Sequence, residues 1–407
     1  MGGVDSGNGS IRSEIPRLLD QFCAAVESPE NRSRLKLWAE PSFHLKTVKF
    51  RGQPLPLVET GGKIPIQADV YSVAFWARIF GFSLAQYYTD PATYLHYYLK
   101  ARLRCFSDIP DDSPLVPAVP TWIGLGFEAS LFGIRQLYDE VAEPWVDRDS
   151  ALKDYGELGK IGRPDFRATG LMPLALRFYD EIQQMVDGYP VRVQFHDWAP
   201  GLLTSLIYLR GYDNLMVDML EEPELVHGIV RLVTDIRKQW EVDRSNYLGR
   251  PIPQAMYYDD DVNIPQLSPG LFTEFLLPYE KEIHDFQGGV SYWHSCGNIT
   301  PFLPAIREMP RIELLNVSAW TDVRRAATVF AGTPLEVCVH AVDDVLQATP
   351  EQMEARARGL VEACCEMKVP AWTIRAEGIT GLEDPQADLR QVKAWVETTR
   401  RAVEDRG

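Results

Sequence analysis

From about residue 111 onward, this 407-residue chain alternates apolar, β-branched stretches with amphipathic helical ones, and that alternation limits the fold more than any other feature. Strand-like runs stand at Leu115–Leu125, Val191–Trp198, Ala255–Asp260, Val290–Cys296, Leu314–Trp320, Leu335–His340 and Ala371–Ala376. Helical runs lie between and after them, among them Gly201–Leu209, Pro223–Tyr247, Pro269–Asp285, Thr349–Glu366 and Leu389–Glu404. Parallel strands cannot be joined by a tight turn; each needs a crossover, which an amphipathic helix supplies while covering the sheet. Seven such strands, with an eighth expected inside 40–70 or 140–190, predict an α/β fold of the (β/α)8 TIM barrel kind. The alternative, an open doubly wound sheet, usually carries a phosphate-binding glycine fingerprint, and Gly124-Leu125-Gly126 lacks the third glycine.

Residues 1–110 read as an N-terminal helical and mixed extension packed on a barrel domain of residues 111–407. Residues 1–13 are rich in glycine and serine and are expected to be disordered. A helix is expected from Ile15 to about Glu40, a hairpin-like stretch at Leu45–Phe50, and helix again from Tyr71 to Ser107.

The formal net charge of -16 disfavours a nucleic-acid or anionic-membrane surface and favours small molecules or proteins as partners. No apolar run approaches a membrane span, and no signal-peptide pattern opens the chain, so a cytoplasmic location is expected. Six scattered cysteines suit reduced thiols better than a disulfide framework.

In a barrel, residues at the C-terminal ends of the strands converge on one mouth. His294 and Cys296 end one strand, two residues apart and therefore on one face, where an imidazole and a thiolate can share a zinc ion. A third ligand must come from elsewhere; the bland alternative is a hydrogen-bonded core histidine beside a small buried thiol. The other strand ends offer His196 with Trp198, then Tyr257, Tyr258 and the run Asp259-Asp260-Asp261, then Asn316 and Ser318, Cys338 and His340, and last Arg375 and Glu377. From these, His196, Tyr258 and Asp260 are candidates for positioning substrate or moving a proton, and Trp198, Tyr257, Asn316 and Arg375 for binding it. Each has a structural alternative: core aromatics, a solvated turn, a helix cap.

Taken together these residues resemble the uroporphyrinogen decarboxylase superfamily, in particular its cobalamin-dependent methyltransferase branch. The resemblance covers roughly Val191–Glu404. It is carried by Phe195-His196-Asp197-Trp198-Ala199-Pro200 with Thr204, by Ser268-Pro269 with Phe275 and Pro278-Tyr279, by Thr349-Pro350-Glu351, and by His294-Ser295-Cys296-Gly297, which is similar to that branch's zinc motif. In the methyltransferases the third zinc ligand is a cysteine at the end of the last strand; here Glu377 falls at that place, with Cys338 the alternative. The decarboxylase branch's arginine-rich N-terminal element is absent, which disfavours a tetrapyrrole polycarboxylate as substrate.

The resemblance implies a zinc enzyme moving a methyl group between a small O-methyl or thiol compound and a corrinoid. This chain lacks an Asp-x-His-x-x-Gly corrinoid motif, so the corrinoid is expected on a separate corrinoid-binding protein. A homodimer is allowed for. The other functional classes left open are a metal-free lyase of the decarboxylase kind and a barrel that only binds a ligand.

Overall fold

Eight parallel strands form, each followed by helix: β1 (Ile66–Ala68), β2 (Ala118–Pro120), β3 (Arg192–Gln194), β4 (Ala255–Tyr258), β5 (Val290–His294), β6 (Leu315–Val317), β7 (Leu335–His340) and β8 (Trp372–Glu377). They are seen in a computed structural model, which describes residues 5–38, 63–70, 72–148, 152, 160–309 and 311–405. One sheet runs β1-β8-β7-β6-β5-β4, parallel throughout. A parallel bridge from Pro200 to Tyr258 hands the ladder on towards β3, which pairs with β2. Between β2 and β1 the described residues form no ladder, and a single backbone bond from Asp112 N to Ile66 O (2.8 Å) spans the seam. The fold is the expected eight-stranded barrel.

The eighth strand, hidden at the sequence level, is β1, in register with β8 from Ile66↔Ile374 to Ala68↔Ala376. The segment before residue 111 therefore supplies a barrel strand as well as covering helices, and the barrel begins upstream of the expected boundary. Its glycine- and proline-rich approach hides it in the sequence, although Ile66 and Ala68 are buried and Gln67 between them is not.

The N-terminal expectations need two further corrections. Helix starts at Asp5 and runs to Val26, inside the stretch expected to be disordered, because Ile15, Leu18, Leu19 and Phe22 are buried in the core beside the helix Pro91–Asp108. The helix expected to reach Glu40 breaks at Ser28, whose hydroxyl accepts from Asn31 N (3.1 Å) and starts a second helix, Pro29–Leu35. The hairpin-like Leu45–Phe50 lies outside the described residues. Where helix is expected over Tyr71–Ser107, the described residues from Ser72 on form three helices, Val73–Phe80, Leu84–Tyr87 and Pro91–Asp108, each opened by a side-chain cap from Ser72, Ser83 or Asp90.

Side chains alternate along every strand, and the two sets differ in chemistry. On β7 and β8 the apolar residues Val337, Val339, Ile374 and Ala376 are fully buried. They share the core with Val392, Trp395 and Val396 of the last helix, Pro385–Glu404. Each large apolar side chain removed from water this way contributes about 2 kcal/mol. The interleaved residues Glu336, Cys338, Arg375 and Glu377 carry the polar groups and meet one another across the inside of the barrel. Among the described residues no helix is long and apolar enough to cross a membrane.

Candidate metal centre

The centre is built from the ends of β4, β5 and β8. Alternation on β5 puts Tyr292 and His294 on one face, their rings parallel (14°) with centroids 6.0 Å apart. Tyr258 at the end of β4 packs against both, at 5.4 and 5.3 Å. After His294 the chain must turn sharply. Ser295 Oγ donates to Val262 O (3.0 Å), and Gly297 lies so close to the next loop that a Cβ there would stand 2.3 Å from Asn263 Cγ. Glycine at 297 thus lets the loop close and holds Cys296 back towards His294.

Three donors then face one another. His294 Nε2 lies 3.3 Å from Cys296 Sγ and 3.0 Å from Asp260 Oδ1, and Cys296 Sγ donates to Asp260 Oδ1 at 3.2 Å. His294 is 2% exposed, whereas Cys296 and Asp260 open towards the mouth. Burial opposes a charge on His294, but Glu377, Cys296 and Asp260 outweigh it and hold the imidazole proton well above the usual histidine range. Burial, then the charge of Asp260, pushes the Cys296 thiol up to about 11. The group keeps its protons until something more positive displaces them.

Glu377 stands on the other side of the imidazole, its Oε1 3.3 Å from Nδ1. The two ring nitrogens point away from one another, so a cation held on Nε2 is out of reach of a carboxylate on Nδ1. Glu377 is itself held by Asn316, whose Nδ2 donates to Oε2 (3.4 Å), to Cys338 Sγ (3.1 Å) and to Glu336 Oε1 (2.9 Å). Glu336 also accepts from Tyr292 Oη (2.6 Å) and from Arg375, whose other arm reaches Asp69 just after β1, both at 2.7 Å. A continuous polar chain thus runs from the first strand through Arg375, Glu336, Asn316 and Glu377 to His294. Glu336, Cys338 and Glu377 form a second group of possible donors, but Glu336 is engaged by three partners and burial with the neighbouring carboxylates keeps the Cys338 thiol protonated.

The acidic run divides by face. Asp259 is fully buried and accepts from Thr204 N (3.3 Å), so the alternative of a solvated turn does not hold for it; Asp260 faces His294; Asp261 accepts from Thr204 Oγ1 (2.9 Å). Trp198 and Tyr257, expected to bind substrate, turn away from the mouth. Trp198 packs on Phe132 and Trp240, and Tyr257 lies under the Arg237 guanidinium with its hydroxyl on Glu280 O (3.2 Å). Arg375 is 2% exposed and engaged by two carboxylates, so it braces the interior instead of meeting a ligand. His196 sits apart from the triad, 3.6 Å from Glu128 Oε1. Glu128 carries no strand-end signal in the sequence: the strand end itself, Val119-Pro120-Thr121-Trp122, has no acid, and Glu128 follows only after the Gly124–Gly126 turn.

Residues 178–402, more than half of the chain, match the family Uroporphyrinogen decarboxylase (URO-D). Among solved structures, a methyltransferase from Methanosarcina mazei is similar, with a TM-score of 0.61 at 18% identity, over 83% of this chain and 94% of that one. At that identity the likeness speaks for the fold. No curated protein matches the sequence.

Proposed function

Since the chain belongs to the uroporphyrinogen decarboxylase family, we propose that it is a methyltransferase whose barrel mouth holds zinc on His294, Cys296 and Asp260. The methyl group passes between a small O-methyl or thiol compound and a corrinoid carried by a separate protein. The observation that carries this reading is the convergence of imidazole, thiol and carboxylate with Glu377 behind the imidazole. Two donors on a tetrahedral zinc, at its usual bond lengths, stand about 3.3–3.6 Å apart. The three separations here, 3.0, 3.2 and 3.3 Å, come within a small adjustment of that. An N, S and O donor set of three also leaves a position open, as catalytic sites do. The third ligand is thus taken to be Asp260, and Glu377, its Oε1 3.3 Å from Nδ1, becomes the carboxylate whose charge faces the imidazole from behind and steadies its orientation. When bound, zinc polarises a substrate oxygen or keeps a thiol as thiolate.

The chain's own residues do the rest. Asn316 keeps Glu377 turned towards His294. Tyr258 and Tyr292 wall the imidazole and keep water from its faces. Cys296 and Asp260, open to the mouth, leave the approach clear for a docked partner. The likeness in fold to a methyltransferase supports the same reading. A decarboxylase acting on polycarboxylates needs cations facing the ligand, and the interior's Arg375 is already held by Asp69 and Glu336. The test is to mix zinc-loaded protein with O-methyl compounds and free cob(I)alamin. Conversion of the corrinoid spectrum to the methylated form supports the proposal; no conversion with any methyl donor, in protein carrying zinc, overturns it.

A further inference from the structure

Between the ends of β2 and β3 lies a buried polar pair, His196 and Glu128, that the three donors do not use. His196 is 1% exposed, its imidazole stacked on the Trp122 ring (centroids 5.1 Å, 16°) and against Phe127 at 4.0 Å. Among the described residues neither of its ring nitrogens has a hydrogen-bond partner. Its polar neighbour is Glu128, whose Oε1 is 3.6 Å from Nε2, beyond hydrogen-bond reach. That oxygen accepts from Ala199 N at 3.0 Å, while Oε2, equally buried, has no partner among the described residues. No described lysine or arginine pairs with Glu128. A buried carboxylate oxygen and two buried ring nitrogens destabilise the fold when nothing completes them. Folds keep such groups where a water or a ligand does so.

The pair adjoins the centre described above: Ala199, whose N–H donates to Glu128, accepts at its carbonyl from Tyr258 N (3.1 Å), and the Tyr258 ring packs on His294. Helix Leu202–Arg210 carries Thr204, which donates to Asp261, and one turn on it carries Tyr208. Burial, then the charges of Asp260, Asp261 and Glu128, push the Tyr208 phenol well above its ordinary range, so the hydroxyl lies near both groups of acids. The surroundings are thus rich in carboxylates; of the buried arginines, Arg375 is spent on Asp69 and Glu336, and Arg237 donates to the carbonyls of Pro200 and Met256.

We infer that this pair forms the head-group subsite for the methylated substrate and takes a protonated amine on it. One ammonium N–H donates to Glu128 Oε2 and another to an unprotonated ring nitrogen of His196. An anionic head would instead meet Glu128 in a poorly screened site, and a neutral one would leave its charge uncompensated. The inference rests on the neighbouring centre being where the methyl group is held.

The experiment uses three methyl ethers that differ only at the head: 2-methoxyethylammonium, 2-methoxyethanol and methoxyacetate. Each is titrated into the full chain near neutral pH in the presence of zinc, with binding read by saturation-transfer NMR and by fluorescence, which the stacked Trp122 should report. The ammonium ether should bind about tenfold tighter than the alcohol, the gain of a charge-assisted hydrogen bond over a neutral one, with methoxyacetate weakest. Glu128→Gln keeps an acceptor for Ala199 N and removes the charge, so the preference for the ammonium ether should fall about tenfold while zinc content stays unchanged. Methoxyacetate binding as tightly as the ammonium ether, or an unchanged preference in Glu128→Gln, overturns the inference. If that variant fails to fold, the ranking in the unaltered protein decides alone. Bound zinc without any head-group preference defeats the subsite only; a preference without zinc defeats the methyl-transfer reading and leaves the subsite standing.

Discussion

Replacing Arg375 with methionine tests the polar chain that joins the first strand to the centre. Arg375 pairs with Glu336 and Asp69 at 2.7 Å each, and all three side chains are at most 8% exposed, so solvent screens little of the interaction. Removing one partner of a buried pair costs about 3–5 kcal/mol, because the other charge stays behind uncompensated. Glu336 retains Tyr292 and Asn316 as donors, which holds the total within that range instead of doubling it. With a urea dependence near 3–4 kcal/mol per molar for a chain this size, the midpoint should fall by about 1 M. The effect has a pH signature. In the variant the abandoned carboxylates have folded-state pKa values raised above their unfolded ones. Their cost is then full at neutral pH and shrinks as pH falls to about 4–5, where protonation removes the charge. Adding Glu336→Gln to Arg375→Met should restore part of the loss. A midpoint within about 0.3 M of the unaltered protein would show that the pairs are screened or rearranged, and the reasoning would fail.

Zinc uptake by the metal-free protein should strengthen with pH, by up to about tenfold per unit for each proton released, because Cys296 and His294 both hold protons firmly. Titration with a competing chelator between about pH 6 and 9 measures this, and a flat profile contradicts it. Gly297→Ala should lower stability by about 1–3 kcal/mol and weaken zinc binding together, since the new Cβ meets Asn263 and displaces the turn that carries Cys296. Unfolding and zinc titrations on one sample check it; zinc affinity equal to that of the unaltered protein speaks against the turn's role.

The barrel was legible because strand and helix periods differ and the other seven strands lie within longer apolar runs of the sequence. The eighth, Ile66–Ala68, was not, since it follows a glycine- and proline-rich approach and no long apolar run marks it before it pairs with β8. His294 and Cys296 could be placed together from parity alone. Asp260 could be placed on the rim but not beside them, because which strand ends lean together depends on the twist of the whole sheet. Glu377 was legible as a neighbour of the centre, yet whether a carboxylate meets Nε2 or Nδ1 is decided by the ring's rotamer. Trp198 and Tyr257 were misread because aromatic residues at strand ends look alike whichever layer they enter. Glu128 was missed because its loop first passes the Gly124–Gly126 turn, so its distance along the chain hides its place beside His196.

The central claim is that His294, Cys296 and Asp260 hold one zinc while Glu377 only steadies the imidazole. Zinc content after dialysis, compared across four proteins, tests it most directly. The unaltered chain should keep about one zinc, and Cys296→Ser and Asp260→Asn should lose it. Glu377→Gln should keep it with affinity reduced about 10–100-fold, the usual effect of removing an outer partner of a metal-bound histidine. A metal-free unaltered chain, or zinc retained in Asp260→Asn and lost in Glu377→Gln, would contradict the account.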